Sequence, residues 1–474
     1  MTAAAGTHEP AAEAGAALAP AADAEVERPV QLGLGLRGAL ALLFVAMAAI
    51  GSYNAWTYPA ELGYDWIWNH AYAESLIHHG HIPSRSEGGE YYTPPGYYAI
   101  GGAALWIGEK LGMAHPAELA QQVNVLFVLA TAVLLLVTAR LLFPRRPVVW
   151  VAAAGFFAFL PVVPKTAAML HPESLNMLAA AGAAAFATWM ILRRRFGRRE
   201  FALLALLLAF EQLIRSSGLF TLVAVGLSVV AALLTGRVDR RAGLRALAIG
   251  VAALVVVVAP WYVRQAVKYH TATPISVVPG FAQTMLHPGD SAISQQGGLV
   301  HFFGVPLLEL YRSPTRPHFV NKAIPTTYAE IWGDWLGWWA WDPGKPLGNH
   351  QLRVLRDQIL IGVIPTLLAA GGWAWLLVTA LRRRRELLPF ALLPVVALAG
   401  YLYRSYAAAS NDGDLLKASY LLITAPMWAL GFGVAFDRVT RGRWARIGLA
   451  ALLAAFAVLE LRFMVWGLRA GRGL

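Results

Sequence analysis

Gln358–Arg385 reads QILIGVIPTLLAAGGWAWLLVTALRRRR, an uncharged stretch closed by four consecutive arginines. About 20 apolar residues in helical form cross a hydrocarbon core of roughly 30 Å, so the stretch is long enough to span a bilayer. Arginines packed against one end mark the cytoplasmic side of such a span. The same pattern recurs along the chain. Apolar runs are expected to form spans near 37–55, 121–143, 148–163, 174–192, 201–216, 218–235, 245–262, 358–380, 387–403, 416–436 and 446–464. Every second connection carries arginines: Arg145–Arg146, Arg193 to Arg199, Arg237 to Arg245, Arg382 to Arg385 and Arg438 to Arg446.

The expected fold is therefore an all-α polytopic membrane protein of about 11 transmembrane helices with its N-terminus inside. A hydrophobic share of 58% agrees with lipid as the main solvent. The net charge of +12 comes from arginine clusters between apolar runs and from no continuous basic stripe, so nucleic acid is not an expected partner. With no cysteine in the chain, disulfides and thiolate chemistry are excluded. Residues 1–32 read as an alanine-rich, disordered cytoplasmic tail without the basic start of a signal peptide, and 33–474 as the membrane domain.

By this topology, the long connections 56–120 and 263–357 face outward, as do short ones around 164–173, 215–217 and 404–415. Segment 95–112 is apolar but short and marked by glycine and proline. Counting it as a span would invert every later arginine loop, so it is expected to be an interfacial or re-entrant helix packed against protein.

Unusual polar residues crowd the outward connections. Tyr64-Asp65-Trp66-Ile67-Trp68-Asn69-His70 opens the first, and Tyr92-Thr93-Pro94-Pro95-Gly96-Tyr97-Tyr98 nears its end. The aromatics suit an interfacial belt. Asp65 is either a helix N-cap before Trp66 or a general base held close to low dielectric. His70, Glu74 and His78 share one helical face; that spacing fits the wet side of an interfacial helix and could also hold a divalent metal.

His171-Pro172-Glu173-Ser174 places a histidine and a carboxylate at a helix mouth, with Glu173 expected near Asp65; the acid equally suits an ordinary helix start. Glu211 and Arg215 lie four apart and are expected to pair within the bundle. Arg215, Arg404 and Lys417, all near outward membrane edges, are candidates to hold a lipid phosphate. The Trp332–Trp341 run offers either stacking faces for a sugar or an interfacial seal.

From about residue 37 to 436 these stretches, in this order and on one side, resemble the GT-C superfamily of polyprenyl-phosphate-sugar-dependent glycosyltransferases, which includes protein O-mannosyltransferases and lipid A aminoarabinose-transferases. The Asp65 loop with its Pro-Pro-x-Tyr-Tyr end, His171-Pro172-Glu173-Ser174, Ile214-Arg215-Ser216-Ser217-Gly218, Pro260-Trp261-Tyr262-Val263-Arg264 and Lys417-Ala418-Ser419-Tyr420-Leu421-Leu422 carry the resemblance. It implies sugar transfer from a polyprenyl-phosphate donor to a glycan, lipid or protein acceptor at the outer face of the cytoplasmic membrane. Asp65 would be the general base and Glu173 a second acid. Arg215, Lys417 and Arg404 would contact the lipid phosphate, and His70, Tyr92 and His171 the substrate.

No cofactor is required, a divalent metal being optional. Two departures leave the sugar open: O-mannosyltransferases carry an Asp-Glu pair where this chain has Asp65-Trp66, and aminoarabinose-transferases a lysine where it has Thr93 before Pro94. The alternatives are a lipid or glycolipid transporter using the same cations, and a catalytically lapsed membrane scaffold.

Overall fold

The computed structural model describes residues 30–235, 239–270, 293, 296–339, 347–411 and 413–466. Most of the expected 1–32 tail, and parts of the 263–357 connection including Trp341, lie outside these residues. Among the described residues there is no strand.

Eighteen α-helices are described. They are α1 (Leu34–Thr57), α2 (Trp66–His79), α3 (Gly96–Lys110), α4 (Ala117–Leu142), α5 (Pro147–Ala158), α6 (Val162–Ala167), α7 (Glu173–Arg193), α8 (Arg198–Ile214) and α9 (Gly218–Thr235). There follow α10 (Arg240–Tyr269), α11 (Gly298–Phe302), α12 (Leu307–Arg312), α13 (Ala323–Trp332), α14 (Asn349–Ile361), α15 (Val363–Arg382), α16 (Leu388–Ala407), α17 (Ala425–Val439) and α18 (Arg443–Met464).

The protein is an all-α polytopic membrane protein. Nine helical segments among the described residues are long and apolar enough to cross a membrane. The other two expected spans are helices too, but shorter: α5 has 12 residues and α8 has 17. At 1.5 Å per residue, α5 covers about 18 Å, less than the hydrocarbon core. Its neighbours compensate, since α1, α4 and α17 pack around it and Trp150 and Phe157 are fully buried. After α5 the chain turns at Pro161 into α6, so the expected helix to 163 stops early.

The expected span at 358–380 is likewise divided, breaking at Gly362 between α14 and α15. A Cβ on Gly362 would lie 2.4 Å from the indole of Trp332, so this helix junction is where α13 docks. Lower in the bundle, a Cβ on Gly372 would meet the carbonyl oxygen of Gly431 at 1.8 Å; backbone-to-backbone approach of α15 and α17 requires the glycine, as in small-residue packing of membrane helices.

α3 packs against α2 and α4, burying Tyr97, Tyr98, Gly101 and Leu105, as expected for a short helix sheltered by protein. Two of the arginine connections, those after α4 and α15, meet near the end of α17. There Arg146 pairs with Asp437 at 2.8 Å, and Arg384 donates to the Leu142 carbonyl at 2.9 Å.

Candidate active site

Asp65 occupies the N-cap position of α2 in left-handed backbone, φ 53, a region that aspartate tolerates better than most side chains. Its carboxylate caps nothing. Both oxygens instead receive the Lys417 ammonium at 3.1 Å. Lys417 stands just before the 3-10 turn Ala418–Thr424 and is 4% exposed, whereas the Asp65 side chain keeps 24% of its surface. Burial pushes the Asp65 carboxyl up, but Lys417, with Arg215 adding to it, outweighs burial and holds the group below the usual aspartate range. Lys417 is raised above an ordinary lysine by Asp65 despite its burial. The pair is therefore ionised at neutral pH.

The second ion pair belongs to Arg215 and Glu173. Arg215 Nε lies 3.1 Å from Glu173 and Nη1 3.5 Å from Glu90. This corrects one expectation. Arg215 does not pair with Glu211, which instead accepts from the Thr221 hydroxyl at 2.6 Å. The reason is that α8 ends at Ile214 and Arg215 adopts extended backbone, φ −151 and ψ 139, which removes it from the helical face it would share with Glu211.

Tyr420 lies beside Arg215 and Arg404. Its ring lies 5.6 Å from the Arg215 guanidinium and 5.3 Å from that of Arg404, within cation–π range of both. Arg404, half-buried at the end of α16, has no carboxylate partner among the described residues, and its Nε is buried without a hydrogen bond there. It is thus the cation of the three with charge to spare for an incoming anion. Tyr92 donates to Glu90 at 3.1 Å on the rim of the group. His171 is 1% exposed, with its ring 6.3 Å edge-on from Tyr64. Burial first, then Arg215, push it down to about 3, so it is a neutral imidazole.

Of the expected site residues, Asp65, Glu173, Arg215, Lys417, Arg404, Tyr92 and His171 thus gather at one end of the bundle. His70 does not join them. It lies against Trp66, ring centres 4.6 Å apart, and lines a separate recess of about 340 Å³ with Glu61, Glu109, His115 and Glu118.

Behind Asp65 is a second buried network for which the sequence reading assigned no role. Tyr64 donates to Glu330, and Lys165 pairs with the same carboxylate and with Asp334 at 3.7 Å. Burial raises Glu330 against the pull of Lys165 and pushes the Tyr64 phenol up, so Tyr64 remains a donor. The two lysines bracket the Tyr64 ring, each ammonium 5.8 Å from its centre. Glu330 had no sequence signal beyond a lone acid in an apolar helix, and Lys165 only its place in a proline-marked stretch.

Three tryptophans of the Trp332–Trp341 run sit inside the protein. Trp332, Trp335 and Trp339 are at most 2% exposed, and their indoles donate to Thr366, His318 and Phe463, so they anchor the 263–357 connection from within instead of sealing an interface or offering a sugar platform.

No family model matches the chain and no curated protein does. Solved structures do. The Archaeoglobus fulgidus oligosaccharyltransferase, in complex with zinc and sulfate, matches with a TM-score of 0.54 at 13% identity over 90% of this chain and 53% of that one. Oligosaccharyltransferase AglB from the same organism, in complex with an inhibitory peptide and a dolichol-phosphate, matches at 0.51 and 13% over 91% and 55%. ArnT from Cupriavidus metallidurans bound to undecaprenyl phosphate matches at 0.47 and 18% over 88% and 63%. The chain spans less than two thirds of the length of each. At TM-scores of 0.54 and 0.51, the two oligosaccharyltransferase structures show that this chain shares their fold.

Proposed function

We propose that the protein is a glycosyltransferase that moves a sugar from a polyprenyl-phosphate-linked donor to an acceptor hydroxyl at the outer face of the cytoplasmic membrane. The observation that supports this best is the pairing of Asp65 with Lys417 beside a guanidinium, Arg404, that has no carboxylate partner among the described residues. Similarity in fold to a protein solved with a dolichol-phosphate supports the class of donor.

In this reading the donor phosphate seats against Arg404 and draws Lys417 toward itself, while Arg215 stays anchored by Glu173 and Glu90. Asp65 then loses the cation that depresses its basicity. It accepts the acceptor's hydroxyl proton as that oxygen attacks the anomeric carbon, and the bond from that carbon to the phosphate oxygen breaks. The departing polyprenyl phosphate takes the bonding electrons, its added charge met by Arg404 and Lys417. Glu173 and Arg215 fix the cradle, and neutral His171 and Tyr92 line it.

The test is transfer from a panel of labelled polyprenyl-phosphate sugars to membrane acceptors by the purified protein and by its Asp65→Asn variant. Labelled product with the parent and none with the variant is expected. Full activity in the variant would remove Asp65 as the base. Flux of unmodified donor across liposomes with no product anywhere would favour a transporter.

A further inference from the structure

The recess that holds His70 borders a cluster with different chemistry. Glu74 and His78 on α2 meet Glu109 on α3. His78 Nε2 lies 3.5 Å from Glu74 and 3.1 Å from Glu109, and one ligand atom from each residue falls within 4.8 Å of the others. Zinc bonds of roughly 2.0–2.1 Å put tetrahedral ligand atoms about 3.3 Å apart, close to these separations. The 3.5 Å contact, by contrast, is long for a hydrogen bond. Among the described residues no lysine or arginine pairs with Glu74 or Glu109, so two carboxylates converge on one imidazole. The other Glu74 oxygen lies 3.6 Å from His70 Nε2.

From this geometry we propose that Glu74, His78 and Glu109 form a divalent-cation site, suited to zinc, that staples α2 to α3. One imidazole nitrogen with two carboxylate oxygens favours zinc over magnesium or calcium, which take all-oxygen sets. His70, with its Nε2 3.6 Å from the other Glu74 oxygen, stands outside the ligand set. The three side chains keep 29–39% of their surface, which leaves water access to the fourth corner. Because α2 begins immediately after Asp65, the staple fixes the helix from which that carboxylate projects.

The test uses the full chain without an affinity tag, stripped with a chelator and returned to zinc chloride. Metal content by mass spectrometry and melting temperature are the readouts. One zinc per chain with a raised melting temperature is expected. Affinity should fall at least about tenfold in Glu109→Gln and in His78→Gln. His81→Gln provides the control: His81 and Glu87 form an exposed pair at 3.0 Å that the cluster of three does not include, so this variant should bind zinc as the parent does. Absence of retained zinc in the parent, unchanged binding in His78→Gln, or equal loss in His81→Gln would overturn the site.

Discussion

Lys417 and Asp65, 352 residues apart in the chain, face each other with the ammonium 3.1 Å from both carboxylate oxygens. A general base proposed from sequence is thus held by a cation proposed to bind phosphate, so the two roles are coupled. Lys417→Gln removes the largest force that lowers Asp65, leaving burial to push its pKa up. The acidic limb of the kcat/KM profile should therefore move to higher pH in the residual activity of this variant. An unshifted limb with reduced rate would mean that Lys417 serves only the phosphate.

Arg404 should behave differently because it has no carboxylate partner among the described residues. Arg404→Gln removes a charge-assisted contact to the donor of about 1.5–3 kcal/mol, roughly 10- to 100-fold in donor affinity. Melting temperature should barely change. A large loss of stability with unaltered KM would assign Arg404 to the scaffold.

The opposite result is expected at Arg215. Its partner Glu173 is fully buried, and removing one member of a buried ion pair costs about 3–5 kcal/mol because the other charge is stranded. Arg215→Gln should unfold well below the parent, and the double variant Arg215→Gln/Glu173→Gln should recover much of the loss. Additive losses in the double variant would deny the coupling.

The fold was legible because a membrane span needs only local information: a long apolar run and the arginines that close it. What was not legible depends on where helices stop and on contacts remote in sequence. The spacing of Glu211 and Arg215 pointed to a pair, but α8 ends one residue before Arg215, and the extended backbone turns the guanidinium to Glu173. Lys165 and Glu330 lie 165 residues apart, with nothing in either local pattern to name the other. The Trp332–Trp341 run suits an interfacial seal or a sugar platform, yet the buried indoles of Trp332, Trp335 and Trp339 each find a specific acceptor inside the protein.

His171 supplies a pH prediction of defined sign. Its folded value lies near 3, well below the ordinary histidine value of about 6.5. Between those limits the unfolded chain binds a proton that the folded chain refuses, so stability is full above about pH 6.5 and declines as pH falls toward 3. His171→Asn should flatten that part of the melting temperature against pH curve, and between pH 5 and 8 should leave the shape of the activity profile unchanged, because a neutral imidazole does not titrate there. A lost activity limb near pH 6 in the variant would instead make His171 a proton carrier, charged during turnover despite its burial.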